Sequence, residues 1–121
     1  MLAQIHRLRK ASEFALASKG TKVSGENFLL HVRTPLDGAR SGAPVKVGLI
    51  VGKSVGGSVI RHRVSRQIRH AIAPHISRFS DGTLIVVRAH PGAARSIDQN
   101  IGDEISSLIN RYLSRSDAGS R

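Results

Sequence analysis

Between Gly56-Gly57 and Pro74, the residues Ile60, Val64, Ile68 and Ile72 recur every four positions, with Ala71 beside them. Only a helix gathers that spacing onto one face, and proline ends such a run because it lacks the N–H and clashes with the preceding turn. The spacing therefore predicts a helix from Ser58 to about Ala73 whose stripe must be buried against something. On a wheel at about 100° per residue, His62, Arg66 and Arg69 fall opposite the stripe, Arg63 and His70 on its shoulder, and Arg61 at its margin. Arg61 must then snorkel or lie in an irregular first turn.

The charge on this helix is one-sided. Lys53 to His70 contains one lysine, four arginines, two histidines and no acid, and no Asp or Glu occurs between Asp37 and Asp81. A block of one sign repels itself unless a partner supplies dense opposite charge, and nucleic-acid phosphate is the commonest such partner. Solvated helix faces usually mix both signs. The whole chain agrees, with a net charge of +11 over 121 residues and a pI near 11.6. Only five of its nineteen basic residues are lysine, and arginine's planar fork suits bidentate phosphate contacts.

Other segments are read by the same periodicities. Ser12 before Glu13-Phe14-Ala15-Leu16-Ala17 reads as the N-cap of a short helix that Gly20 ends. Asn27–Arg33 alternates as a strand, with Phe28, Leu30 and Val32 on one face and Leu29, His31 and Arg33 on the other. Thr34–Pro44 has loop composition. Val45–Val51 and Thr83–Ala89 are apolar strands, the former uniform enough to be central in a sheet. Ile97, Ile101, Ile105, Leu108, Ile109 and Tyr112 define a closing amphipathic helix. The order implies one α+β domain over residues 1–121, helices against a small sheet, with residues 1–8 and 114–121 expected to fray.

Several function classes lose support here. With no cysteine there are no disulfides or thiolate metal sites, which fits a reducing cytoplasm. No run approaches a membrane span and no apolar segment follows the basic start, so a soluble, cytoplasmic protein is expected. Gly52-Lys53-Ser54 resembles the end of a P-loop, but the required earlier glycine is Val47. The histidine spacings suggest no metal site, and neither paired carboxylates nor a serine-nucleophile motif is present. No catalytic and no metal-ligating residue is assigned. Among the aromatics Phe28 and Phe79 read as core, and Phe14 as either core or a stacking platform. Gly56-Gly57 reads equally as a place for close backbone approach or an ordinary turn.

Taken together, Leu8-Arg-Lys-x-x-x-Phe14, Val47-Gly-Leu-Ile-Val-Gly-Lys53 and Arg61-His-Arg-Val-Ser-Arg-Gln-Ile-Arg69 resemble the protein component of bacterial ribonuclease P over nearly the whole chain. His62 stands where the family's Arg-Asn-Arg motif has asparagine, Ser65 where a lysine is usual, Ser54 where a second lysine is common, and Ser18 where a second aromatic would follow Phe14. The resemblance implies an αβββαβα two-layer sandwich with a small mixed sheet, a left-handed βαβ crossover and a likeness to ribosomal-protein folds. One further short strand must then lie between Lys22 and Asn27 or in the loop. It implies a subunit that assists a catalytic RNA in removing the 5′ leader from precursor tRNA, with Mg²⁺ held by the RNA and none by the protein. Carried over by position, Arg61, His62, Arg63, Arg66 and Arg69 would face the catalytic RNA, and Phe14, His31 and Lys53 would line the leader cleft. Its partners would be that RNA and the leader, with no membrane and no obligate protein partner. Two other classes remain open, a basic small-subunit ribosomal protein and a stand-alone RNA-processing enzyme.

Overall fold

The computed structural model describes residues 4–35 and 42–119, with side chains of the closing helix described as far as Arg115. The elements run α1 (Ala11–Ser18), β1 (Thr21–Ser24), β2 (Phe28–Arg33), β3 (Lys46–Ile50), α2 (Ser58–Ile72), β4 (Leu84–Ala89) and α3 (Ile101–Gly119). Short 3₁₀ turns precede α1 and follow α2 and β4. The sheet order is β1-β2-β4-β3. β1–β2 and β2–β4 are antiparallel, and β4–β3 is parallel. The mixed sheet follows from connectivity, because β3 reaches its parallel neighbour only through α2. The additional short strand is β1, at Thr21–Ser24, starting one residue before the expected window and ending inside it. Residues 36–41 of the expected loop lie outside the described residues.

Strand alternation gives the sheet two unequal faces. Phe28, Leu30, Val32, Val47, Ile85 and Val87 point to one side and meet Val64, Ile68 and Ile72 of α2 and Ile105, Leu108 and Ile109 of α3 in the main core. The helical stripe is buried as its spacing predicts, with Ile60 only partly covered. The opposite face carries a smaller cluster of Leu8, Ala17 and Val86, with Phe14, Ile50 and Leu84 packed against it. α1 thus adds a partial layer beyond the sandwich of sheet and two helices.

Three local expectations are corrected. β3, expected to be central in the sheet, is its edge strand beside β4. The first helix begins at Ala11 with Lys10 in the cap position and no side-chain cap. Ser12 is inside it, and the amides of Glu13 and Phe14 donate to the Lys10 carbonyl instead. The segment before α1 is not frayed from residue 6 onward. Arg7 forms a parallel bridge to Val47, the Leu8 amide donates to the Val47 carbonyl at 2.9 Å, and His6 Nδ1 lies 2.7 Å from the Val45 carbonyl. This strap pairs the open edge of β3, which would otherwise expose unpaired backbone groups, and it buries Leu8. At the other end, α3 runs through Ser114 to Gly119.

Candidate RNA interface

α2 presents its cations outward because its stripe is committed to the core. His62, Arg63, Arg66 and His70 are exposed, and Arg61 and Arg69 are half-buried along the helix flank. Arg61 sits in the first turn, its amide donating to the Gly57 carbonyl at 2.9 Å. Its Nε is buried without a partner, so the stem lies along the protein while the fork end extends outward. Burial, then the neighbouring Arg7 charge, lowers the Arg69 guanidinium from its ordinary value, a change too far from neutrality to discharge it. The five residues expected to face the catalytic RNA therefore share one helix, three fully outward and two on its flank.

Gly56 has a structural task. Its φ is +158°, and a Cβ there would lie 2.8 Å from Ile60 Cγ2, whereas one at Gly57 would meet nothing. The turn Gly52–Gly57 closes through Val55 N to the Gly52 carbonyl and Gly56 N to the Lys53 carbonyl. Lys53 stands exposed in that turn and forms no ion pair among the described residues.

The second basic surface is the α1 side of the sheet. In register across it lie Lys22, His31, Val86 and Gly48, then Ser24, Leu29, Arg88 and Ile50. Phe14 rests on Gly48, where a Cβ would come within 2.5 Å of the ring. The glycine is therefore the seat of the aromatic. α1 covers His31, Val86 and Gly48 of the first row and leaves Lys22 exposed. The second is more open, with exposed Ser24 and Arg88 beside half-buried Leu29 and Ile50, and Ile50 leads the chain toward Lys53. Phe14 and His31 are thus on one face, and Lys53 lies beyond its strand end.

His31 is not placed to stack on a base. It is only 4% exposed, held against the end of α1, and neither ring nitrogen has a hydrogen-bond partner. Burial pushes its pKa below 6.5, and Lys22 and Arg88 push it the same way, while the nearby Ser18 carbonyl pulls weakly upward without reaching hydrogen-bond geometry. His75 is lowered as well, by burial and then by Arg78. A native state that disfavours imidazolium takes up its proton later than the unfolded chain does. Stability is then full above 6.5 and declines as pH falls below it. Between about pH 7 and pH 5.5, unfolding free energy measured in urea should fall, by no more than about 1.4 kcal/mol per pH unit for each histidine. His31→Gln should flatten that slope, and an unchanged slope would exclude His31 as its source.

Sequence reading missed two features. Arg88 joins the sheet surface, as the alternation Leu84, Val86, Arg88 could have indicated. Asp98 accepts hydrogen bonds from Arg63 Nη2 and Gln67 Nε2. It lies more than thirty residues away in sequence, with no local signal.

Among the described carboxylates, Glu13 pairs with Lys46, Asp81 accepts from the Gly42 amide, Asp98 holds Arg63 and Glu104 holds Asn27 and Phe28. Among the described residues, no group of three or more His, Asp or Glu could hold a metal ion. No described helix is long and apolar enough to cross a membrane.

A small α+β sheet protein with one arginine-rich helix turned outward, and with Glu13, Asp81, Asp98 and Glu104 occupied in structural contacts, belongs, by fold and site, to the RNA-binding class. The ribonuclease P family model matches residues 2–113, and the chain belongs to that family. It is 38% identical over 119 residues to the ribonuclease P protein component of Mycobacterium sp. strain KMS, covering 98% of each chain. It is 33% identical over 118 residues to that of Streptomyces bikiniensis, covering 93% of this chain and 96% of the relative. The fold matches the Staphylococcus aureus RNase P protein with a TM-score of 0.76 at 21% identity, over 88% of this chain and 94% of that one. It matches the Thermotoga maritima RNase P protein with a TM-score of 0.65 at 21% identity, over 90% and 96%. The chain is thus the protein subunit of an RNA-based endoribonuclease of tRNA 5′ processing, and it works with a ribonuclease P RNA. The ribosomal alternative is not favoured.

Proposed function

We propose that the outer face of α2 docks on the catalytic RNA while the α1 side of the sheet takes the 5′ leader of precursor tRNA. The observation that carries this reading is the set His62, Arg63 and Arg66 facing outward, with Arg61 and Arg69 on the flank, of a helix free of acids. Backbone phosphates would supply most of the affinity and little sequence preference. On the leader side, Phe14 seated on Gly48, the apolar floor of Leu29 and Ile50, and the cations Arg88 and Lys53 suit a single strand with stacked bases and a charged backbone. The RNA would hold the Mg²⁺ that hydrolysis needs, and the protein, working without an obligate protein partner in the cytoplasm, would supply no reacting group.

The test is cleavage of precursor tRNA at low Mg²⁺ by a bacterial ribonuclease P RNA, with and without the protein. Stimulation is expected. With about five phosphates engaged, log K for the RNA should fall against log salt with a slope of roughly −3.5 to −4.5. No stimulation from folded protein would return the ribosomal reading. Cleavage by the protein alone would instead identify a stand-alone enzyme.

A further inference from the structure

α2 and the start of α3 enclose a cleft of about 480 Å³, within the range of small-ligand pockets. Ala71 and Ile101 give it an apolar floor, and Arg66 and His70 stand at its side. Asp98 is its acid. Arg63–Asp98 is the one ion pair made by any α2 cation among the described residues. A carboxylate here opposes the attraction of phosphate, so it is the feature that phosphate docking leaves unexplained.

The geometry fixes that carboxylate. Arg63 donates to Oδ2 and Gln67 to Oδ1, and the Asp98 amide donates back to Gln67 Oε1 at 2.9 Å. The backbone at Asp98 adopts a φ of +62°, a conformation few residues other than Gly, Asn and Asp accept readily. Although doubly anchored, the side chain is 66% exposed. Each carboxylate oxygen accepts more than one hydrogen bond, so both retain acceptor capacity toward the cleft. The result is a rigid pair of acceptors above an apolar floor, with guanidinium donors at the side.

We propose that this cleft receives an unpaired guanine base of the RNA partner, a reading that rests on α2 being the RNA face. Among the four standard bases only guanine presents two adjacent donors, N1–H and the N2 amino group, on its Watson–Crick edge. Those two match the two oxygens of Asp98, while arginine is the usual donor to guanine O6 and N7. Unpaired bases read on that edge are the ordinary basis of sequence recognition in RNA. On this assignment Asp98 gives one position of specificity to a face that otherwise reads only phosphate.

The experiment measures binding of the full chain to uridine pentanucleotides with guanosine, inosine or adenosine at the centre, by fluorescence anisotropy, with amide NMR shifts to locate the contact. Guanosine should bind roughly tenfold more tightly than inosine, which lacks the N2 amino group, the size of one hydrogen bond to a charged acceptor. Shifts should centre on Asp98 and Gly102. Asp98→Asn, which tolerates the same backbone conformation, should bring the guanosine-to-inosine ratio close to one. Gly102→Leu should do the same by filling the cleft, since a Cβ at Gly102 meets nothing within 4 Å. Equal affinity for guanosine and inosine, a preference that survives Asp98→Asn, or shifts confined to the α1 side of the sheet would each overturn the proposal. A uniform loss for all three oligomers in Asp98→Asn would also overturn it, leaving Asp98 as a positioning residue for Arg63. Absence of salt-dependent binding to every oligomer would remove the RNA-face reading itself, and this proposal with it.

Discussion

Replacing Arg61 and Arg66 together by alanine should weaken binding of the ribonuclease P RNA by about a hundredfold at low salt and abolish most of the stimulation at low Mg²⁺. A hydrogen bond to a charged group contributes about 1.5–3 kcal/mol, and two such losses reach that factor even at the lower end. Each phosphate released should also reduce the slope of log K against log salt by about 0.7–0.9. The double variant should therefore lose roughly 1.4–1.8 of the wild-type slope. Neither guanidinium has an acid partner among the described residues, and the buried stripe of Val64, Ile68 and Ile72 is untouched, so folding should persist. Arg61→Lys/Arg66→Lys keeps the charge but loses the fork, and should fall between wild type and the alanine variant. A loss of less than about threefold in the alanine variant, with the slope preserved, would move the RNA contact off this helix.

The parts of the fold legible in the sequence are those where one periodicity meets one burial environment. The stripe of α2 is an example, because its apolar side faces a single core. β2 and β4 were legible for the same reason on the side of Phe28, Leu30, Ile85 and Val87. Their other side was not, because α1 covers only part of it. Alternation places Leu29, His31 and Arg33 together, but it cannot say that His31 alone is buried beneath the end of α1. β1 is four residues long with a single buried side chain, Val23, too little for a period to register. The strap at Arg7 and Leu8 is selected by the open edge of β3, a tertiary cause with no local signature. Ser12 has the right chemistry for a cap, yet the chain enters the helix two residues earlier, where the Lys10 carbonyl already accepts the first amides.

The candidate site divides along the same line. A helix carries its own register, so periodicity correctly set His62 and Arg66 outward, and the half-buried Arg61 answers to its place at the stripe's margin. Contacts between distant segments had no such guide. Gly48 reads as a weak strand residue until Phe14 is found seated on it, and Asp98 reads as a loop acid until Arg63 and Gln67 are found on its two oxygens. In a chain with this excess of cations, an acid held in a specific place has a geometric task.

Glu104 shows how large such a task becomes. Its Oε2 accepts the amides of Asn27 at 2.8 Å and Phe28 at 3.1 Å, and its Oε1 accepts from Asn27 Nδ2 at 3.1 Å. One carboxylate on α3 thus holds the turn between β1 and β2, whose own closure is the Gly25 amide donating to the Phe28 carbonyl at 2.8 Å. A Cβ on Gly25 would come within 2.5 Å of Glu104 Oε2, so glycine is what lets the carboxylate reach the turn. Glu104→Ala leaves two partly buried amides without their acceptor. At about 1–3 kcal/mol for each unsatisfied group, the expected loss is about 3 kcal/mol, enough to lower the melting temperature by on the order of 10 °C in a domain of this size. Glu104→Gln retains one acceptor oxygen but turns an NH₂ toward a donor, and should recover only part of that. Because Glu104 lies off the cationic face of α2, folded Glu104→Ala should keep the wild-type salt slope for RNA while losing stability, the opposite signature to the arginine pair. A stability change under about 1 kcal/mol would mean that solvent replaces the carboxylate at this turn, and that strand pairing alone holds the β1–β2 hairpin against α3.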